Sequence, residues 1–161
     1  MNISDFNERG KAAEYLVAAD LILQGIPATI VHGTWPYDVL AEVDGRAVRV
    51  QVKSTDRLKS WAKAKNVYRF TLRCAKHGAR RIDPSSVDVV AFVALDVRRV
   101  AYFHIGELTA RTGYMKQTVD LRVTSSYEGR RYSNGTVRRL NWHQTFDGKD
   151  NFRECLKKCT I

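Results

Sequence analysis

Asp38, Gln51 and Lys53 are the residues of this chain whose types and spacing can do chemistry. Asp38 opens one apolar run, and a second run carries Gln51 and Lys53 to the pair Ser54-Thr55. Between the runs lies Asp44-Gly45, a strong two-residue hairpin turn signal. With the turn there, Val43 pairs with Arg46 and, counting outward, Asp38 stands opposite Gln51. Directly opposed side chains lie about 5 Å apart at Cβ. Lys53 and Arg49 share the face of Gln51, because side chains alternate along a strand. Val39, Ala41, Val48, Val50 and Val52 fill the other face as core residues. An acid, an amide and a lysine on one face suit phosphodiester hydrolysis. A divalent cation held by oxygen ligands acts as a Lewis acid and acidifies a bound water. A lysine beside it orients or deprotonates that water, or stabilises charge on the phosphate.

Glu14 is the fourth candidate. It is an isolated carboxylate within a helical stretch, residues 12–23, that is apolar nearly all round. A buried carboxylate is costly unless it is paired or holds a cation. Two readings stay open for it: a salt bridge to Lys53, or a share in a metal site with Asp38 and Gln51.

The elements that must position these groups are legible in outline. Residues 5–24 read as a helix, with Ser4 or Asp5 as its cap and Gly25 and Pro27 as its stop. An apolar-all-round helix is expected to be buried on most faces. The hairpin follows. Residues 67–74 alternate as a strand, and the nearly continuous apolar run 87–95 reads as a central strand. Residues 100–105 form its hairpin partner, 106–112 a short helix, 119–124 another strand and 151–159 a late helix. The pattern predicts an α/β fold: a mixed central β-sheet, mostly antiparallel, flanked by helices.

The chain of 161 residues suits one domain, residues 1–161, and at 44% hydrophobic content it can build a core. It contains no apolar run of the roughly 18 residues that a membrane span needs. The first residues lack the pattern of a secretory signal, so a cytoplasmic, non-membrane protein is expected. The odd count of cysteines, Cys74, Cys155 and Cys159, argues against a disulfide framework. Cys155 and Cys159 read as reduced structural thiols, with a metal pair as the alternative. None of the four histidines has a ligand partner at helical spacing; His32, just before the hairpin, reaches the site only as the minority reading.

With 27 basic against 17 acidic residues, the net charge of +10 points to a polyanion, most often nucleic acid. The basic residues gather in three segments. Residues 57–65 hold Arg57, Lys59, Lys63 and Lys65; residues 73–81 hold Lys76, Arg80 and Arg81; residues 129–139 hold Arg130, Arg131, Arg138 and Arg139. With Arg49, these are the expected DNA contacts. Lys and Arg contacts to phosphate are salt-sensitive and sequence-independent, whereas Arg also reads guanine edges in the major groove. The Gly-rich segment 129–139 is the first candidate for specificity, with a solvated turn as its alternative. Trp61 and Tyr68 either stack on bases or pack, and packing fits better. Ser54 and Thr55 either bond a phosphate or cap the next segment.

The hairpin resembles the PD-(D/E)XK nuclease superfamily. That motif is an Asp at a strand start, then an acidic residue, any residue and Lys on the next strand. Here it reads Pro36-Tyr37-Asp38 and Gln51-Val52-Lys53, with an extra residue between Pro and Asp and with Gln51 in the acidic position. Glu14 matches the helical acid frequent in the superfamily. Tyr37-Asp38-Val39, Asp44-Gly45 and Val50-Gln51-Val52-Lys53-Ser54 are similar to the hairpins of its group I intron-encoded homing endonucleases. The likeness continues through 87–95 and Tyr102-Phe103 and fades past Thr112. It implies a restriction-endonuclease-like core and a Mg²⁺-dependent endonuclease of double-stranded DNA, of homing type, with Mn²⁺ as a substitute. It also implies a homo-oligomer, dimer or tetramer. Holliday-junction resolvases and Mrr-like restriction nucleases are the alternative enzymes. A catalytically inactive DNA-binding module is the alternative without chemistry.

Overall fold

The turn at Asp44-Gly45 forms as its residue types dictate. Asp44 has φ 51° and Gly45 φ 74°, the pair of positive φ angles that a type I′ hairpin turn requires. The computed structural model describes residues 6–61, 64–74, 80–110, 112–123 and 144–157. Its helices are α1 (Phe6–Leu23), α2 (Ile105–Leu108) and α3 (Phe152–Lys157). Its strands are β1 (Ala28–Ile30), β2 (Val39–Val43), β3 (Arg46–Thr55), β4 (Lys59–Trp61), β5 (Ala64–Thr71), β6 (Arg73–Cys74), β7 (Arg80–Arg81), β8 (Val89–Ala94), β9 (Arg99–His104), β10 (Thr118–Arg122) and β11 (Gln144–Thr145).

The main sheet has the order β1-β2-β3-β8-β9. Strands β2 and β3 pair antiparallel in the expected register, Val43 with Arg46 through Val39 with Val50. Strand β8 lies parallel to β3 and antiparallel to β9, which makes the sheet mixed. One face carries Val39, Ala41, Val50, Val52, Val89, Ala91 and Val93, packed against Ala13, Val17 and Leu21 of α1 and Phe152 of α3.

The second face is covered by a sheet, which the strand pattern alone does not reveal. A four-stranded layer of order β11-β10-β5-β4 presses Tyr68, Phe70, Leu72, Val119 and Leu121 onto Val90, Phe92, Ala94, Ala101 and Phe103. Every residue of β8 is therefore buried, and that is why its sequence reads as an unbroken apolar run. Tyr68 packs, as expected, and its hydroxyl donates to Asp96 at 2.8 Å. Burial and that bond push its phenol pKa up. The segment 67–74 divides into the end of β5 and the short β6, which pairs with β7 in a separate two-stranded ribbon.

Helix α1 departs from expectation. Its inner stripe is buried, yet Tyr15 is 63%, Ile22 58% and Leu23 86% exposed, so one face rather than most faces meets the core. Cys155 is a buried free thiol; Cys159 lies outside the described residues. Among the described residues, no helix is long and apolar enough to cross a membrane.

One polar cluster ties α1 and α3 to the sheet. The buried Tyr102 of β9 donates its hydroxyl to Asp20 of α1 at 2.6 Å, and burial with this bond raises its pKa. Gln24 donates to the same Asp20 oxygen at 2.7 Å and accepts from the Phe152 N–H at 2.9 Å. A hydrogen bond to a charged group contributes roughly 1.5–3 kcal/mol. Tyr102→Phe keeps the ring and removes only this bond. It is expected to lower unfolding stability by about 1–2 kcal/mol, read as a lower urea midpoint at unchanged slope; an unchanged midpoint would show that the clamp contributes nothing.

Candidate active site

At Asp38 the regular ladder changes. Val39 pairs with Val50, and the Asp38 N–H also donates to the Val50 carbonyl at 2.9 Å. Two residues thus face one, the arrangement of a β-bulge, which re-aims side chains. The Asp38 carboxylate oxygen Oδ2 then accepts the Val52 N–H at 2.7 Å. The same oxygen accepts a hydrogen bond from Nε2 of Gln51. Sequence reasoning expected Asp38 directly opposite Gln51. The two do meet, through a bulge rather than through simple cross-strand opposition.

Gln51 is only 7% exposed. In the parallel pairing it lies beside Val90, and Lys53 beside Phe92. Both stand on the face opposite Val50 and Val52, the side covered by the second sheet. Lys53 is half-buried, and its Nζ approaches the Arg73 carbonyl of β6 at 3.5 Å. The β6–β7 ribbon therefore adjoins the site. It pairs Arg73 with Arg81 and Cys74 with Arg80.

Glu14 is half-buried on α1. The packed stripe of that helix covers the other face of the main sheet, so Glu14 belongs to a different layer from Gln51 and Lys53. His32 is exposed in the loop before β2. Among the described residues, no group of three or more His, Cys, Asp or Glu side chains is gathered closely enough to hold a metal ion. The donors at hand are hard oxygens, which suit Mg²⁺ or Mn²⁺. Mg²⁺ is commonly held by one or two carboxylates with waters and substrate phosphates completing its shell, and this donor set fits that pattern.

Arg49 takes a structural place. Its Nε and Nη2 donate to the two oxygens of Asp88 at 3.0 and 2.8 Å, and Nη1 donates to the Ser85 carbonyl at 2.9 Å. The Arg49 backbone N–H also donates to Asp88. A phosphate would have to compete with all of these bonds. The sequence reading missed Asp88, although an acid directly before a central apolar strand is itself a sign of a partner. Of the other basic candidates, Arg57 and Lys59 are exposed, and Arg57 sits 3.4 Å from Asp56. Lys65, Arg80 and Arg81 lie in β5 and β7. Lys63, Lys76, Arg130, Arg131, Arg138 and Arg139 lie outside the described residues.

A family model described as PD-(D/E)XK endonuclease matches residues 4–146. The chain belongs to the PD-(D/E)XK endonuclease family. Among solved structures it is similar to a bacterial homing endonuclease, I-Ssp6803I, with a TM-score of 0.56 and 17% identity. That match covers 83% of this chain and 86% of the other; at such identity it shows a shared fold. No curated protein matches the chain. The mixed sheet with its helices is thus a restriction-endonuclease-like core, and the family is one of DNA endonucleases.

The Arg49–Asp88 pair makes a pH-dependent contribution. Burial would raise the Asp88 pKa, but the side-chain and backbone hydrogen bonds from Arg49 outweigh it and hold the carboxyl below its ordinary 3.8. The sign follows: this stability is fully present above about pH 4 and is lost as pH falls through the lower folded value. The pair is about a third exposed, so the discounted contribution is about 1 kcal/mol. Asp88→Asn is expected to lower the urea midpoint near neutral pH, and the gap to the parent should close on acidification. A gap that persists at low pH contradicts an ionic origin.

Proposed function

We propose that this chain is a Mg²⁺-dependent endonuclease that hydrolyses phosphodiester bonds in double-stranded DNA at specific sites, as homing endonucleases do. The observation that carries the reading is the Asp38 carboxylate held by Gln51 and the Val52 N–H at the bulged start of the central hairpin, with Lys53 two residues beyond Gln51 on the same face. Asp38 and, from the helix layer, Glu14 supply the anionic oxygens toward the cation, and Gln51 stands beside Asp38. Mn²⁺, which takes the same ligands, substitutes. When bound, the cation supplies Lewis acidity at the phosphate and lowers the pKa of water.

The protein groups divide the remaining work. Asp38 is fixed by two N–H donors, so its carboxylate enters the reaction already oriented. The Lys53 ammonium, anchored near the Arg73 carbonyl, offers positive charge to a phosphate that gains negative charge at the transition state. In this proposal Lys53 also orients the attacking water. Arg57, Lys59, Lys63, Lys65, Lys76, Arg80 and Arg81 supply phosphate contacts around the site, and Arg130, Arg131, Arg138 and Arg139 supply sequence readout. Arg49, committed to Asp88, leaves this footprint.

A duplex presents two antiparallel strands related by local two-fold symmetry. One site per chain cuts one strand, so a symmetric pair of chains, or a tetramer built of such pairs, serves both strands at once. This supports the homo-oligomer.

Incubation with supercoiled and linear duplex DNA and Mg²⁺ or Mn²⁺ tests the reading. Asp38→Ala and Lys53→Ala are each expected to lose roughly 10²–10⁴-fold in cleavage rate while binding DNA as the parent does. Variants that cut at the parental rate would remove both residues from the site. Sequence-independent cutting of a four-way junction in preference to the duplex would replace the homing reading with that of a resolvase.

A further inference from the structure

We infer that Gln51 is a positioning residue that aims Asp38, and that it is not itself a metal ligand. The inference rests on the nuclease reading above and assigns a role within that site. An ionised carboxylate only accepts hydrogen bonds, whereas a glutamine amide carries both a donor and an acceptor. The Gln51 atom that meets Asp38 Oδ2 is accordingly Nε2, an orientation set by chemistry. The amide lies at a buried position beside Val90 on β8. There a donor without a partner would be costly, and Asp38 is the partner it has.

The same Asp38 oxygen takes the Val52 N–H from the next residue of the same strand. Two donors spaced along β3, one from a side chain and one from the backbone, converge on one oxygen. Together they fix the direction of the carboxylate before any cation arrives. A glutamate at position 51 cannot do this at neutral pH. It would have no donor, and it would set two anions in contact at a largely buried place. The departure from the family motif at this position thus has a physical function of its own. It exchanges the charge of a second ligand for an Asp38 that is oriented in the metal-free protein.

Two variants test the assignment on the full chain. Gln51→Leu removes the donor without adding charge. The half-saturating concentration for Mn²⁺ alone, read by electron paramagnetic resonance, is expected to stay within about threefold of the parent. Its cleavage rate at saturating Mn²⁺ should fall roughly 10–100-fold, the range seen for groups that orient ligands. A loss of Mn²⁺ affinity of about tenfold or more, with the rate restored at high Mn²⁺, would make Gln51 a ligand and overturn the inference. Gln51→Glu, in EDTA at about pH 8 where free carboxyls are ionised, should unfold at a lower urea midpoint than the parent. Added Mn²⁺ should raise that midpoint more than it raises the parent's. An unchanged midpoint in EDTA also overturns the inference, because the donated bond would then contribute nothing. The Mn²⁺ affinity and the urea midpoints are read without DNA cleavage, so they are separate from the nuclease reading, which fails instead if Asp38→Ala still cuts DNA.

Discussion

The structure turns on one substitution of partners: the Asp38 carboxylate takes the Val52 N–H where the preceding strand would have offered a carbonyl. A regular hairpin would continue its ladder past Val39, and Asp38 would point away as one more cross-strand neighbour. The bulge instead lets two residues share the Val50 carbonyl and turns the Asp38 side chain in toward β3. Backbone N–H groups inside a sheet must be satisfied, so the carboxylate is held there by a requirement of the sheet itself. That couples the site to the most buried part of the fold. Strand β3 lies between β2 and β8, and its apolar alternates Val50 and Val52 lock into the helix-side core. A carboxylate anchored to its backbone inherits the rigidity of that core.

The second sheet explains how polar residues survive on the other face of β3. Strands β5 and β10 cover Val90, Phe92 and their neighbours with aromatic and aliphatic side chains, so Gln51 is buried while Lys53, nearer the strand end, is half-buried. Burial grades along β3 from an amide to an ammonium, in the order in which desolvation is least costly. A cation at Gln51 would be far costlier. The covering layer is itself held by an ion pair, with Arg69 of β5 donating to both oxygens of Asp120 on β10 at 2.7 and 2.6 Å. The β6–β7 ribbon continues from β5, and the Arg73 carbonyl it presents to Lys53 joins the basic segment 73–81 to the chemical cluster.

Much of this was legible in the residues, and the limits have physical reasons. The Asp44-Gly45 turn fixed the register of the hairpin because two adjacent positive φ angles admit few residue types. The run 87–95 announced a strand buried on both faces. The bulge was not legible, since one extra residue leaves no periodic signature. Nor was the second sheet, because the alternation of residues 67–74 and 119–124 states which side chains share a face and not which layer they cover. The outer face of α1 misled for a related reason. Apolar residues at Tyr15, Ile22 and Leu23 predict burial, and a single chain supplies no second surface for them. Arg49 shares its strand face with Gln51, but periodicity carries no information about Asp88, thirty-nine residues on.

The charge balance of the site follows from the same amide. A phosphodiester approaching an acid pair would meet two negative charges before a cation had neutralised either. Two unit charges about 4 Å apart interact by about 4 kcal/mol at an effective dielectric of ~20, typical of a protein surface. Replacing one acid by Gln51 removes one such repulsion. What remains beside Gln51 is the Asp38 carboxylate, held by two N–H donors, with Lys53 two residues beyond Gln51 on the same strand. The chain as a whole carries a net charge of +10, so the loss of one acid here shifts the site in the same direction as the overall charge. The glutamine thus exchanges a charge for a hydrogen-bond donor, and the bulge that presents Asp38 to it is the feature of the backbone that makes the exchange possible.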